Sequence, residues 1–335
     1  MEPRFSFIIP VYNRAADLEA LLENFARVMP PAFSYEIIVV DDGSRENIRA
    51  VTGKFENLPL HYGRQENAGP GAARNRGMKM ARGEWFVFLD SDVLLPEDYA
   101  WQLENALARN PEAGIIGGRD DALPDFTLFQ KAVNYVMTSF CTTGGIRGNR
   151  KQVDRFVPRS FNMAAHRQVW ETIGGFSPMH PGEDPEWVYK WWQAGGRTAS
   201  APDWKVYHKR RIDWRSFWRQ ILRFARARMI LARRFPGTFK WIHLAPVVFV
   251  VLLGLALAGV KWAQIMTGLY FLCTAIEILV RSRSLPVTLT ALVLVVVQNL
   301  AYAWGVWQGF VRLYVRKMPP ERAFPDMFFE KDGKN

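Results

Sequence analysis

Apolar and polar positions follow one rhythm over roughly the first two hundred residues and another after that. Residues 5–11 form an apolar run of strand length, closed by Pro10 and the Tyr12-Asn13-Arg14 loop. Over 15–28, Leu18, Leu21, Leu22, Phe25 and Val28 recur at helical spacing. A second, fully apolar run over 35–40 ends in Asp41-Asp42-Gly43-Ser44. Strand, helix and strand in such close succession make a βαβ unit, which sets the two strands parallel in one sheet. The pattern then predicts a helix over 46–55, a short strand near 58–62 and a Gly-rich loop, 67–77, that opens a helix to Ala81. The run Phe86-Val87-Phe88-Leu89 is a buried strand that stops at Asp90-Ser91-Asp92. A helix over 96–107, a strand over 114–118, an amphipathic aromatic helix over 126–140, a flexible loop over 142–148 and a strand over 159–164 follow.

After residue 204 the rhythm becomes wholly helical. Over 213–234, Trp214, Phe217, Trp218, Ile221, Leu222, Ala225 and Met229 make one stripe and Arg215, Arg219, Arg223 and Arg226 the opposing one. Such a helix is expected to lie in a membrane interface with its arginines at anionic headgroups; a solvated basic face packed on the preceding domain is the alternative. Residues 241–260 carry no formal charge, 262–280 only Glu277, and 285–310 none. Each tract is long enough for ~30 Å of hydrocarbon. The chain therefore divides into an α/β domain, 1–204, a basic amphipathic segment, 205–240, a transmembrane region of two or three spans, 241–317, and a tail, 318–335.

Topology meets a conflict. With the α/β domain inside, Lys261 falls outside and Arg281 and Arg283 inside, as the positive-inside tendency prefers. A third crossing would send Arg312, Arg316, Lys317 and Arg322 outside; a re-entrant tract broken near Gln298-Asn299 avoids this. Glu277, an acid within a span, is a candidate functional residue.

Charge narrows the partners. The net +11 is concentrated between residues 204 and 240, where twelve Lys/Arg face one acid, Asp213; the rest carries 31 of each sign. An excess next to apolar tracts fits an anionic bilayer, and no nucleic-acid module is visible. Cys141 and Cys273 make neither a disulfide framework nor a zinc site, which favours a reducing compartment. Residues 1–4 lead straight into the first strand without a signal-peptide pattern, so the α/β domain is expected to stay in the cytoplasm.

The chemistry gathers at strand ends. A strand delivers Asp90 and Asp92 to the carboxyl edge of the sheet, where α/β folds bind ligands. Two carboxylates one residue apart can share a hard divalent cation that holds a diphosphate. Alone, Asp-Ser-Asp reads as well as a solvated acidic loop. Its company is Asp41-Asp42 at a parallel strand end and a Gly69-Pro70-Gly71 helix start whose amides suit a phosphate, with Arg74 and Arg76 adding charge. Together they outline one nucleotide-diphosphate pocket. Further on, Gly182-Glu183-Asp184-Pro185-Glu186 predicts a helix start with Asp184 as N-cap and Pro185 at the first position. Trp187, Val188, Trp191 and Trp192 are expected to pack inward from that helix, with an acceptor groove as the alternative.

Pro10-Val11-Tyr12-Asn13, Asp41-Asp42-Gly43-Ser44, Gly69-Pro70-Gly71-Ala72-Ala73-Arg74-Asn75, Asp90-Ser91-Asp92 and Gly182-Glu183-Asp184 occur in the order and spacing of family 2 glycosyltransferases. The resemblance covers residues 4–230. It implies a GT-A fold (Rossmann-like, mostly parallel), a nucleotide-sugar donor, a divalent cation (Mg²⁺ or Mn²⁺) and inversion at the anomeric carbon. Carried over, it gives Pro10, Tyr12 and Asp41 or Asp42 to the nucleoside, and Arg74 to the diphosphate or base. Asp90 and Asp92 become the donor–metal motif, with Asp92 the direct ligand, and Asp184 the catalytic base. His208 is a candidate further metal contact. The region 207–224 resembles bacterial exopolysaccharide glycosyltransferases of this family, which implies a bacterial cytoplasmic membrane. Phe224 stands where processive synthases carry tryptophan, so one sugar per encounter is expected. A base serves a hydroxyl acceptor such as a lipid-linked glycan, because a polyprenyl phosphate is already ionised. The rival readings are a polyprenyl-phosphate glycosyl synthase and a non-catalytic membrane scaffold of the same fold.

Overall fold

The computed structural model describes residues 2–122, 127–143, 156–208 and 213–329. Most of the expected 142–148 loop and the basic Lys209-Arg210-Arg211 run lie outside the described residues. The chain forms two compact units, one of Met1–Leu123, Arg155–Lys209 and Phe328–Asn335, the other of Pro124–Asp154 and Arg210–Met327.

In chain order the first unit begins β1 (Phe5–Val11), α1 (Ala15–Val28), β2 (Tyr35–Asp42), α2 (Ile48–Thr52), β3 (Leu60–Gln65), α3 (Gly69–Met80), β4 (Trp85–Leu89), β5 (Val93–Leu94), α4 (Tyr99–Ala108) and β6 (Ile115–Ala122). After α5 (Leu128–Thr138) and α6 (Phe140–Thr143) of the second unit, it resumes with β7 (Asn162–His166), α7 (Arg167–Ile173), α8 (Glu183–Gln193) and β8 (Thr198–His208). One eight-stranded sheet results, in the order β3-β2-β1-β4-β7-β6-β8-β5. From β3 to β4 it is parallel, so β1, β2 and β4 deliver their following loops to one edge. Strand β7 runs antiparallel to both β4 and β6, and β5 antiparallel to β8, while β6 and β8 are parallel, so the sheet is mixed with four of its seven pairings parallel. The β3 strand begins two residues later than its pattern indicates, and α2 is only five residues long.

Strand alternation builds two cores. Phe5, Phe7 and Ile9 face Leu18, Leu21, Leu22 and Phe25 of α1, while Ile8, Phe86 and Phe88 point to the other side with Phe176, Trp187 and Val188. A Cβ on Gly77 of α3 would stand 2.4 Å from Ile8 Cγ2, so the missing side chain lets α3 press onto β1. Glu36 of β2 is buried, yet it accepts from Ser6 Oγ (2.7 Å), Arg82 N (2.6 Å) and Arg82 Nε (3.0 Å).

The second unit is helical: α9 (Trp214–Arg234), α10 (Ala245–Leu257), α11 (Lys261–Ser282), α12 (Leu285–Gly309) and α13 (Pro320–Ala323), with a π-helical turn over Phe310–Val315. The apolar stripe of α9 packs on α12, with Phe217 and Ile221 buried among Leu294, Val295 and Ala301. Gly305 and Gly309 permit this approach: a Cβ there would stand 2.6 Å from Ala225 Cβ and 2.5 Å from Met229 Cγ. The arginine stripe is not uniformly free for headgroups. Arg223 and Arg226 bond Asp326, Arg233 the carbonyls of Leu313 and Met318, and Arg234 Glu321.

Only α11 and the helix running from Leu285 to Val315 are long and apolar enough to cross a membrane among the described residues. The first apolar tract falls short: α10 has 13 residues, about 20 Å of helix. Helix α12 runs unbroken through Gln298-Asn299, whose Asn299 amide bonds Val295 O at 2.8 Å, so the broken tract, one of the two alternatives there, does not occur. Glu277 accepts from Ser139 Oγ (2.6 Å), Phe140 N (2.9 Å), Cys141 N (3.1 Å) and Arg281 Nη1 (3.1 Å), which pins the start of α6 to α11.

Candidate active site

Two loops follow β1 and β2 on the same edge and are stitched together. Asn13, held at φ 52°, donates its amide to Ser44 Oγ (2.9 Å), and Arg45 N donates to Asn13 Oδ1 (2.8 Å). Pro10 is partly buried at the end of β1, and the Tyr12 ring beside it is 47% exposed, free to meet a planar ligand. Asp41 is fully buried; it accepts from Ser44 N (2.8 Å) and Tyr62 OH (3.0 Å), and Arg64 Nε lies 3.6 Å away.

Asp42 does something the sequence reading assigned elsewhere. Its carboxylate accepts from Gln65 Nε2 (2.8 Å), Ala68 N (3.0 Å) and Gly69 N (2.9 Å), so it caps α3. Two of the amides expected to receive a phosphate are therefore taken by a side chain of the same chain, which the positive end of the helix stabilises. Burial pushes the Asp42 carboxyl up, partly offset by these hydrogen bonds. Gly69 itself is at φ 87°, and a Cβ on it would run into the ring of Phe329. Phe328 pairs with Met179 in an antiparallel bridge and Phe329 N donates to Pro178 O (3.1 Å), which holds the Phe329 ring over this turn.

The acids of the centre share one guanidinium. Arg74, on α3, is 4% exposed; it donates through Nη2 to Asp90 Oδ1 (3.0 Å) and through Nη1 to Glu183 Oε1 (3.1 Å), with Asp184 Oδ1 at 3.9 Å. Helix α3 is fixed to the loop before Gly182 by Asn75, whose amide group bonds Phe176 through both its oxygen (2.7 Å) and its nitrogen (2.9 Å).

Helix α8 starts at Glu183 behind Gly182, which adopts φ 126°. Asp184 is therefore the second helical residue and not the expected N-cap. Its Oδ2 accepts from Ser160 N (3.2 Å), while Oδ1 is buried and accepts no hydrogen bond. Burial and the neighbouring Glu183 push the Asp184 carboxyl up, against the pull of Arg74. For Glu183 burial acts the same way, but His180 at 2.9 Å and Arg74 outweigh it and hold that carboxyl below the usual range. Two adjacent acids are thus driven apart, one firmly ionised and one easier to protonate, which is the pattern of a proton acceptor beside a structural charge.

Asp92 accepts from His208 Nε2 (3.0 Å) on one oxygen and is bonded by Arg14 on the other. Asp90, Asp92 and His208 each present a ligand atom within 4.8 Å of the others. Two hard carboxylate oxygens and an imidazole suit a divalent cation, so the residues present fit such an ion. Arg14 and Glu183 were not assigned roles from sequence. Arg14 directly follows the Tyr12-Asn13 pair, and Glu183 directly precedes Asp184; adjacency to a motif was the available signal.

Comparison places this fold and its strand-end acids in a known family. The Glycosyl transferase family 2 profile matches residues 6–173, and the chain belongs to that family. It is 24% identical over 316 residues to the succinoglycan biosynthesis protein ExoA of Rhizobium meliloti (strain 1021), covering 90% of this chain and 93% of that one. It is 23% identical over 256 residues to the probable glycosyltransferase YdaM of Bacillus subtilis (strain 168), covering 74% and 60%. An uncharacterized glycosyltransferase of Haemophilus influenzae is 33% identical over 112 residues, but only 37% of its length is spanned. Among solved structures, the mannosyltransferase PcManGT of Pyrobaculum calidifontis, in complex with GDP-Man and Mn²⁺, shares the fold at a TM-score of 0.61 and 21% identity, covering 91% of this chain and 88% of that one.

Proposed function

We propose that the chain is an inverting, cation-dependent hexosyltransferase that moves a sugar from a nucleotide-diphosphate donor to a hydroxyl of a lipid-linked glycan at the bacterial inner membrane. One observation carries this reading: the unbonded, buried Asp184 Oδ1 shares the Arg74 guanidinium with Asp90. A proton acceptor and the donor–metal motif thus stand on two sides of one fixed group. The Mn²⁺ of the fold relative supports a cation on Asp90, Asp92 and His208.

The residues divide the work. Tyr12 takes the nucleoside, with the buried Asp41 fixing the Ser44 loop beside it and Asp42 shaping that end of the pocket through its cap on α3. Asp90, Asp92 and His208 hold the cation, which when bound stabilises the charge that develops on the leaving diphosphate. Arg74 fixes Asp90 against Glu183. The Asp184 carboxylate takes the proton of the acceptor hydroxyl as its oxygen attacks the anomeric carbon from the face opposite the leaving group, which inverts configuration. The apolar helices α11 and α12 anchor the enzyme in the bilayer beside its acceptor.

The test uses purified full chain with a panel of radiolabelled nucleotide-sugars and bacterial lipid extract, with Mn²⁺, Mg²⁺ or EDTA. Transfer that needs the ion and falls ~10²–10⁴-fold in Asp184→Asn is expected. Undiminished transfer by Asp184→Asn to a polyprenyl phosphate would instead establish the synthase reading. No transfer or donor hydrolysis with any donor would leave the scaffold.

A further inference from the structure

The arginines of α9 fall into two sets. Arg223, Arg226, Arg233 and Arg234 are bonded to residues between 308 and 326, as described above. Arg215 and Arg219, one helical turn apart near the start of α9, are exposed, and neither guanidinium makes an ion pair or hydrogen bond among the described residues. They border a cleft of about 560 Å³ whose other walls are Trp214, Trp218 and Val297 of α12. Phe129 stands edge-on to Trp214 at 4.8 Å and steadies that wall. The nearby acid, Asp213, accepts from the Ser216 amide at 2.8 Å and hydroxyl at 3.0 Å and also feels the charge of Arg219, so one exposed carboxylate stands against two guanidinium groups and the pair keeps a net positive charge.

Two unspent guanidinium groups beside an apolar slot call for an amphiphile with an anionic head. The slot's far wall is a helix apolar enough to cross a bilayer, which sets its apolar end at hydrocarbon. The paired charges decide between heads. A phosphomonoester or diphosphate carries close to two negative charges or more near neutral pH, whereas a phosphodiester headgroup carries one. Arginine's planar fork binds phosphate oxygens in pairs, and indole rings flank a hydrocarbon chain at the level of headgroups. We infer that the Trp214–Arg219 cleft binds the phosphate end of a single-chain lipid phosphate or diphosphate, the carrier end of the acceptor. This rests on the lipid-linked acceptor proposed above and assigns the residues that hold its lipid end.

The experiment titrates the full chain in detergent with farnesyl phosphate, farnesol, inorganic phosphate and a short-chain phosphatidylglycerol, read by calorimetry. Farnesyl phosphate should bind at least about tenfold tighter than the other three, and Arg215→Gln/Arg219→Gln should lose about tenfold or more of that affinity. Val297→Trp, which fills the slot and leaves both arginines, should lose binding as well and covers the case in which the double variant does not fold. Equal binding of inorganic phosphate would mean a free-anion site, and equal binding of phosphatidylglycerol mere bilayer contact; either overturns the inference. So does unchanged farnesyl phosphate binding in the folded variants. These isotherms need no catalysis. Absent sugar transfer with normal isotherms sinks only the catalytic reading, and transfer to lipid extract with no farnesyl phosphate binding sinks only the cleft.

Discussion

Arg74 and Glu183 meet at 3.1 Å with both side chains only 4% exposed, although 109 positions separate them in the chain. A buried ion pair adds little compared with an apolar one, but removing one member strands the other charge. Arg74→Ala should therefore cost ~3–5 kcal/mol and lower the melting temperature along with activity. Arg74→Lys keeps the charge but lacks the fork that reaches Asp90 and Glu183 at once; its melting temperature should fall less than its turnover. Thermal melts and initial rates on both variants check this.

The raised Asp184 carboxyl shapes the pH profile. Its proton must be gone before it can accept another, so rate falls as pH drops through its pKa. Because burial and Glu183 push that pKa up, the acid limb should lie above the ordinary ~3.9 of an aspartate. A kcat–pH series at saturating donor measures it. In Glu183→Gln, with the neighbouring charge gone, the limb should move to lower pH.

Glu36 makes a prediction about stability alone. Burial opposes its ionisation, but Arg82 and Ser6 outweigh this and hold its folded pKa below the usual value. A depressed carboxylate stabilises the fold above its unfolded pKa, ~4.3, and that contribution is lost as pH falls through the folded pKa. Glu36→Gln should cost about 1.5–3 kcal/mol at pH 7. The gap between variant and parent melting temperatures should close in acid.

Helix α9 owes its seat on α12 to two absent side chains. A Cβ on Gly305 would stand 2.8 Å from Leu222 O, a backbone atom that cannot swing aside. Gly305→Leu should destabilise the helical unit by ~1–3 kcal/mol or part the helices, read as a lower melting temperature in detergent. Gly254→Leu, with open space around it, should change little.

How legible all this was depends on the range of the interaction. Strand ends carrying Asp41, Asp90 and Asp92 follow from local periodicity, and the parallel pairing of β1 with β2 and β4 puts them on one edge. The antiparallel β7 was not legible, since a short strand with Met163, Ala164 and Ala165 between Asn162 and His166 looks alike in either direction. Asp184 was misplaced as a cap, because Gly182 at φ 126° starts the helix one residue early. The phosphate-like duty of the Gly69 turn went to Asp42, a pairing across 27 positions that spacing does not reveal. The tail, 318–335, was given no role from sequence, and the approach of Phe329 to Gly69 is a contact that spacing does not reveal.

That return of Phe328 to Met179 fixes a parity. With α11 and α12 as the two crossings of the proposal above, a chain that leaves the first unit after His208 and rejoins it at Phe328 would cross twice, and Arg312, Arg316, Lys317 and Arg322 would emerge on the side of that unit, where the rule for basic loops wants them.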